Sequence, residues 1–150
     1  MDLFACLIGV DEKVCKIFAR LDDLHVTDST FMVYTSDNGY ISGEHKLRAK
    51  AIPIEESIHV PLFVRYPEWF DDSIIIENEI IELIDIPKTL LDIAGVPDTF
   101  DFQGYSLNDL KEPDTLRHFA YYEYEGSTPD AVFDVPDLRG IRGFDKAYFY

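Results

Sequence analysis

The sequence has no long hydrophobic run, few basic residues and only two cysteines. None of its apolar stretches approaches the roughly 18 residues that a membrane-spanning helix needs, so we do not expect an integral membrane protein. Lys and Arg number 13 against 29 Asp and Glu, which gives a formal net charge of -16. A surface this acidic repels phosphate backbones and anionic lipids, and we therefore expect neither nucleic acid nor a membrane as a partner.

The two cysteines, Cys6 and Cys15, are too few for a disulfide framework. On one continuous helix their Cα atoms lie roughly 13 Å apart, well beyond the separation of about 7 Å that a disulfide spans. We expect two free thiols that pack among apolar neighbours. The N-terminus also lacks the basic start and apolar stretch of a secretion signal, which favours a cytoplasmic location if the chain begins where its gene does.

Hydrophobic periodicity predicts the main elements. The chain has 150 residues, 47% hydrophobic and 28% charged, which is typical of one globular domain or of part of a larger one. Apolar residues recur every three or four positions over residues 3–24, and this pattern predicts a helix with one buried stripe. Apolar and β-branched runs predict strands over 30–35 and 60–66, separated by a polar loop over 40–57. Residues 80–94 have the pattern of a strand, a turn and a helix.

This order of elements predicts the fold class. A helix that leads into a buried strand favours an α/β fold, with a mainly parallel sheet flanked by helices. Residues 118–150 hold nine of the chain's Tyr and Phe residues, of which there are 9 and 11 in all. Such aromatic density favours strands, so we also expect a small antiparallel sheet at the C-terminus.

Polar residues at the end of the first predicted strand form a candidate site. In open α/β sheets ligands bind at the carboxyl ends of strands. Asp37 and Asn38 lie there and offer oxygen ligands of the kind that Ca²⁺ or Mg²⁺ prefers. Ser-Asp-Asn-Gly is also simply a good turn sequence. Lys50, 13 positions after Asp37, could hold an anionic group, and His45 could donate a proton, although an isolated Lys or loop His is most often a surface residue.

Together these motifs resemble the sulfatase family. The similarity is carried by the stretch VYTSDNGYISGEHKLRAKAIPIEESIHVPLFVRYP, which matches the family's Thr-Ser-Asp-(Asn or His)-Gly strand end, Gly-(Asp/Glu)-His, lysine, acidic-Ser element and Val-Pro-Leu strand in that order. Further similar segments are ACLIGVDEKVCKIFARLDDL, IIELIDIPKTLLDIAGVPDTFDFQGYSL and LRGIRGFDKAYFY. The resemblance implies an alkaline phosphatase-like fold. Residues 1–115 would be the C-terminal part of the α/β core, and residues 116–150 an incomplete C-terminal antiparallel subdomain.

The resemblance also implies an activity, the hydrolysis of a small-molecule or carbohydrate sulfate ester. Asp37 and Asn38 would be two ligands of Ca²⁺, or of Mg²⁺ or another divalent cation. Lys50 would contact the sulfate and the bridging oxygen, where negative charge grows as the ester bond breaks. His45 matches the Gly-(Asp/Glu)-His position near the site, and a loop-stabilising hydrogen bond is an equally weighted alternative for it.

The chain departs from the family at the nucleophile. The family uses a Cys or Ser in Cys/Ser-x-Pro/Ala-x-Arg, oxidised to formylglycine, and neither Cys6 nor Cys15 lies in such a motif. We therefore expect the C-terminal portion of a sulfatase, inactive alone, with formylglycine in a missing N-terminal part. Its expected protein partner is that missing half or a second copy of itself. Two alternatives stay open: a phosphonate or phosphate ester hydrolase of the same superfamily, and a non-catalytic remnant that acts as an interaction module.

Two smaller features bear on the site. Glu55 and Glu56 could form an acid–base pair, but adjacent residues of an extended segment point to opposite sides, so we expect structural salt bridges. Ile54 stands where an aromatic residue is frequent in the family, and this change could alter the substrate pocket.

Overall fold

The computed structural model describes residues 3–50, 52–70, 73–111, 117–126 and 136–150. These residues belong to two compact units, Met1–Tyr34 with Leu62–Ile74, and Thr35–Pro61 with Ile75–Tyr150. The helices and strands, in chain order, are α1 (Leu3–Asp23), β1 (Met32–Thr35), β2 (Ile41–Ser42), β3 (Arg48–Ala49), α2 (Glu55–Ile58), β4 (Leu62–Arg65), α3 (Asp85–Ile93), β5 (Ala120–Tyr124), β6 (Leu138–Arg142) and β7 (Ala147–Phe149).

Helix α1 confirms the helix that the sequence predicts, but its apolar stripe is not buried. The exposed members of the stripe include Leu7, Val10, Ile17, Phe18 and Leu24. A stripe is buried only when another element packs on it, and among the described residues only Val14 and Leu21 of this stripe are half-buried. Cys6 and Cys15 are exposed free thiols, so the expectation that they pack among apolar neighbours is wrong. No helix in the described residues has both the length and the hydrophobicity to span a bilayer.

The two strands of the first unit pair with each other. β1 and β4 form a two-stranded sheet, which confirms both predicted strands over their central residues. Arg65 donates hydrogen bonds of 2.7 Å to the carbonyl oxygen of Thr27 and to Oδ1 of Asp28, and these bonds tie the end of β4 to the turn before β1. The Tyr66 ring packs edge-on against Phe31. The mainly parallel sheet stays a prediction, because the described strands of this part form this pair alone.

The second unit contains structure where the sequence predicts only a polar loop. β2 and β3 pair in antiparallel fashion, with Ile41 opposite Ala49 and Ser42 opposite Arg48. The one-turn helix α2 follows. Ile41 is only 1% exposed, and its burial decides which face of the hairpin points inward. The predicted loop over 40–57 is therefore wrong where the short β2–β3 hairpin and the turn of α2 form.

Helix α3 confirms the predicted helix, but the strand expected before it does not form. Residues 80–84 are coil and turn. Arg117 Nη1 donates a 3.1 Å hydrogen bond to the carbonyl oxygen of Ile80, and the Glu82 N–H donates one of 2.8 Å to Asp85 Oδ2. Side chains therefore satisfy backbone groups that a strand would have offered to a neighbouring strand.

The C-terminal strands form the small antiparallel sheet that the aromatic-rich tail predicts. The strand order is β5-β6-β7, with both pairs antiparallel. The rings of Tyr122 and Phe149 meet edge to face, with 5.8 Å between their centroids. A Cβ atom on Gly140 would lie 2.3 Å from both the Phe149 ring and the Tyr148 carbonyl oxygen, so β6 has room only for glycine at this position.

A buried ion network connects the start of α3 to the start of this sheet. Both oxygens of Asp85 accept hydrogen bonds from Arg117, and Arg117 Nε lies 2.9 Å from Glu82 Oε2. Asp85 is 2% exposed and Arg117 is 9% exposed. Asp85 Oδ1 also accepts the N–H of Tyr105 at 2.8 Å, and the Arg117 guanidinium lies 4.9 Å from the centroid of the Tyr105 ring. The Asp85 carboxylate thus holds together the start of α3, the loop at Tyr105 and Arg117, which precedes β5.

Candidate functional site

The loop that follows β1 is pinned against α2. Ser36 Oγ donates a 2.9 Å hydrogen bond to the carbonyl oxygen of Asn38, and the Gly39 N–H donates one of 2.8 Å to the carbonyl oxygen of Ser57. A Cβ atom on Gly39 would lie 2.1 Å from the carbonyl oxygen of Glu56. The glycine of Ser-Asp-Asn-Gly is therefore required by close backbone contact, and the loop has a fixed position relative to α2.

Lys50 reaches the end of this loop. Its Nζ atom donates a 2.9 Å hydrogen bond to Asn38 Oδ1, while Asn38 Nδ2 donates one of 2.8 Å to the carbonyl oxygen of Gly39. The β2–β3 hairpin explains the contact, since it reverses the chain between the two residues. Asp37, adjacent to Asn38, is exposed. The structure thus brings together Lys50 and Asn38, with Asp37 beside them in the chain.

His45 lies at the tip of the hairpin in an uncommon backbone conformation. His45 and Lys46 have φ angles of 54° and 62°, in the left-handed region. Such residues cost about 1–3 kcal/mol each and cluster at functional sites. His45 Nε2 lies 3.5 Å from Glu56 Oε1, which forms an ion pair when the imidazole is protonated. Within the described part of the chain no hydrogen bond joins His45 to Lys50 or Asn38, and its contact with Glu56 supports the loop-stabilising alternative.

The neighbouring carboxylates form salt bridges, as the sequence predicts. Glu55 Oε2 lies 2.9 Å from Arg142 Nη2, and Glu55 Oε1 lies 2.7 Å from His59 Nδ1. The segment is a helical turn rather than the expected extended chain, yet Glu55 and Glu56 still take separate partners. A groove of about 310 Å³ runs along this turn, and Ile54 is among the residues that line it, together with His45, Glu56 and Arg142.

The carboxylate of Glu44 forms a hydrogen bond within the β2–β3 hairpin. Its Oε2 atom accepts the Ser42 N–H at 2.6 Å. Hydrogen bonds from its own backbone N–H and from that of Ser42 lower the pKa of Glu44 below its ordinary value, with the charge of a protonated His45 in support. Glu44 is therefore held as an anion by the backbone and is not a candidate proton donor.

The oxygen donors of the loop fit part of the shell of a hard cation. Asp37 offers a carboxylate, and Asn38 Oδ1 has two lone pairs, of which Lys50 occupies one. Thr35 Oγ1, two residues before Asp37, is buried without a hydrogen-bond partner among the described residues. In the described ranges no cluster of three or more His, Cys, Asp or Glu side chains could hold a metal ion. Two adjacent oxygen donors suit Ca²⁺ or Mg²⁺ chemically, and further ligands would have to complete the shell.

The ion network of Asp85, Glu82 and Arg117 was not predicted from the sequence. Part of its signal was available, since Asp85 and Thr89 belong to the Asp-Ile-Pro-Lys-Thr segment that resembles the family. Thr89 is completely buried, donates to the Asp85 carbonyl oxygen at 2.7 Å and accepts the Leu107 N–H at 3.0 Å. These residues support the fold around the site rather than the chemistry within it.

Comparisons with known proteins agree on one family. A family model described as N-sulphoglucosamine sulphohydrolase, C-terminal, matches residues 43–145. The chain is 36% identical over 156 aligned residues to an N-acetylglucosamine-6-O-sulfatase of Bacteroides thetaiotaomicron, an alignment that covers 99% of this chain and 27% of that protein. It is 34% identical over 107 residues to arylsulfatase K of Homo sapiens, covering 71% of this chain and 20% of that protein.

A solved structure has a similar fold. It is the structure of BT4656 in complex with its substrate D-glucosamine-2-N,6-O-disulfate, with a TM-score of 0.73 and 29% sequence identity. The match covers 96% of this chain and 32% of that chain. The present chain therefore spans about a third or less of the length of these relatives.

Proposed function

The chain belongs to the sulfatase family, and from this we propose that it is the C-terminal part of a metal-dependent sulfatase that hydrolyses sulfate esters of carbohydrates. The observation that carries the proposal is the 2.9 Å hydrogen bond from Lys50 Nζ to Asn38 Oδ1. It joins an ammonium group to the pair of oxygen donors at the end of β1. The relatives support a carbohydrate substrate, since one is an N-acetylglucosamine-6-O-sulfatase and another binds a disulfated glucosamine as its substrate.

Lys50 carries the electrostatic part of the proposed chemistry. Breaking a sulfate ester leaves negative charge on the bridging oxygen, and a fixed ammonium group stabilises that charge as it develops. Its hydrogen bond to Asn38 holds the Lys50 side chain at the loop before the substrate arrives. An arrangement that exists in advance costs no reorganisation during the reaction.

Asp37 and Asn38 would hold a Ca²⁺ ion, or Mg²⁺ or another divalent cation. When bound, the cation supplies Lewis-acid stabilisation of the sulfate oxygens. His45 is the second candidate for the chemistry, as a proton donor on the leaving group when its imidazole is not paired with Glu56. The loop-stabilising role is its alternative.

The proposal assigns the nucleophile to a part of the enzyme outside this chain. Neither Cys6 nor Cys15 lies in a Cys/Ser-x-Pro/Ala-x-Arg motif, so formylglycine would be supplied by the portion of the relatives that the chain does not span. We therefore propose that the 150 residues alone release no sulfate. The same missing portion would extend the β1–β4 pair into a mainly parallel sheet, with residues 1–115 in the core and residues 116–150 in the antiparallel subdomain.

One observation favours a role in association as well. The apolar stripe of α1 is exposed, and exposed apolar faces of this kind mark surfaces that bind another protein. The occupant would be the missing N-terminal portion or, in its absence, a second copy of this chain. Such association is compatible with a non-catalytic remnant too, so activity has to be tested directly.

The test is a chimera. The region of the B. thetaiotaomicron N-acetylglucosamine-6-O-sulfatase that aligns with this chain is replaced by residues 1–150, and sulfate release from N-acetylglucosamine 6-sulfate is measured. We expect turnover that the isolated chain lacks. A chimera that folds by circular dichroism but releases no sulfate contradicts the proposal. Release of phosphate from the matching phosphate ester, without release of sulfate, would favour the phosphate ester hydrolase instead.

A further inference from the structure

The β2–β3 hairpin concentrates positive charge in an otherwise acidic chain. Residues 43–50 contain Lys46, Arg48 and Lys50 against one carboxylate, Glu44, while the whole chain carries a net charge of -16. The Glu44 carboxylate accepts the Ser42 N–H and forms no salt bridge with these basic residues. An anionic ligand that approaches a strongly acidic protein is repelled, so a local cluster of positive charge marks where it is accepted.

The strand register places Arg48 on the outward face of the hairpin, two residues before Lys50. Arg48 stands opposite Ser42, and both side chains are exposed, whereas the adjacent Ile41 is buried. Side chains alternate along a strand, so Arg48 lies on the outward face of the hairpin, and Lys50 follows two residues later, just after the end of β3. The Lys50 ammonium donates its hydrogen bond to Asn38 Oδ1 at 2.9 Å.

The side chain of Arg48 forms no salt bridge or hydrogen bond with the described part of the chain. Its side chain is exposed, and no carboxylate among the described residues pairs with it. The other arginine side chains in the second unit behave differently, since Arg117, Arg139 and Arg142 each form a salt bridge. The Arg48 guanidinium, on β3 two residues before Lys50 in the chain, is therefore available to a ligand.

We propose that Arg48 binds a second anionic group of the substrate, beside the ester that Lys50 contacts. The site would then select carbohydrates that carry two anionic groups, a sulfate ester together with another sulfate or a carboxylate. The planar guanidinium suits this task because it donates two parallel hydrogen bonds to a tetrahedral or carboxylate anion. The inference rests on the proposed function, and it assigns Arg48 a role in substrate specificity rather than in the breaking bond.

The test compares two probes on the 150-residue chain. D-glucosamine 6-sulfate and D-glucosamine-2-N,6-O-disulfate are titrated separately, and amide chemical shifts of the hairpin are followed by NMR. We expect the disulfate to bind about tenfold more tightly than the monosulfate. Arg48→Gln should remove this advantage and leave monosulfate binding nearly unchanged. Arg20→Gln, which makes the same substitution at an exposed position of α1, should preserve the advantage.

Two results overturn the inference in distinguishable ways. If Arg48→Gln keeps the full preference for the disulfate, or weakens both probes equally, Arg48 does not bind the second group although the proposed function stands. If neither probe binds in a manner sensitive to Lys50→Gln, the sulfate site itself is wrong and the proposed function fails with it.

Discussion

Arg117 donates a hydrogen bond to each carboxylate oxygen of Asp85, at 2.8 and 2.9 Å, and both side chains are almost closed to solvent. The two residues are 32 positions apart in the chain. The pair therefore fixes the first turn of α3 to the entry of the C-terminal sheet, which no local interaction could do.

The first prediction concerns the stability that depends on this pair. Arg117→Ala leaves the buried carboxylate of Asp85 and the half-buried carboxylate of Glu82 without their cation, which should lower the free energy of unfolding by about 3–5 kcal/mol. Arg139→Ala is the matched control, because Arg139 pairs with Glu123 at the surface, where solvent screens the pair, and its loss should lower stability far less. Urea denaturation followed by far-ultraviolet circular dichroism measures both. Equal decreases in the free energy of unfolding for the two variants would show that the buried network stabilises the fold no more than a surface salt bridge does.

The second prediction concerns pH. Burial raises the pKa of Glu82 above its ordinary value, and the charge of Arg117 opposes this only in part. A carboxyl whose pKa is raised in the folded state contributes stability below its unfolded pKa and loses it as the pH rises through the folded value. Glu82→Gln abolishes this loss, so the stability of the variant relative to the parent should be greater at pH 7 than at pH 3.

Precipitation is greatest near the isoelectric point of about 4.4, and these two pH values lie on either side of it. Urea denaturation at each pH gives the comparison, with Glu123→Gln as the control for removing an exposed carboxylate. If the parent chain instead becomes more stable relative to Glu82→Gln as the pH rises, attraction to Arg117 outweighs the effect of burial on the pKa of Glu82.

The third prediction concerns Ca²⁺. The chain offers Asp37 and Asn38, whereas Ca²⁺ takes about six to eight oxygen ligands, so most of its shell would stay water. Calorimetry should find a dissociation constant no tighter than about 10⁻⁴ M, and Asp37→Ala should abolish the remaining binding. Micromolar affinity in the isolated chain would show that other residues of this chain complete the shell.

The fourth prediction concerns association. Because the stripe of α1 is exposed, the isolated chain should form dimers or larger species at concentrations used for light scattering. Replacing Val10 and Ile17 together by Gln should shift the population towards monomer, while Glu12→Gln, a polar position of the same helix, should not. A parent chain that is monomeric throughout would contradict this expectation.

Local sequence patterns predicted the elements whose determinants are local. The periodicity of α1, the apolar run of β1 and the aromatic tail each produced the expected element. Burial could not be predicted in the same way, since the stripe of α1 and the two cysteines face solvent unless another segment covers them.

Distant pairings explain most of the remaining differences. The strand expected before α3 does not form, and the carbonyl oxygen of Ile80 instead accepts a hydrogen bond from Arg117, far along the chain. In the candidate site the motif grouped Asp37, Asn38 and Lys50, and the structure brings Lys50 to Asn38. The motif could not reveal that His45 contacts Glu56 instead, because that contact depends on the left-handed backbone of the hairpin tip.

The most direct measurement is the turnover number of the chimera with Lys50→Ala. The account predicts that sulfate release falls by a factor of about 10²–10³, while Lys146→Ala, an exposed lysine in the turn before β7, leaves it within about twofold. Unchanged sulfate release after Lys50→Ala, in a chimera that keeps its circular dichroism spectrum, would contradict the assignment of the lysine to the sulfate site.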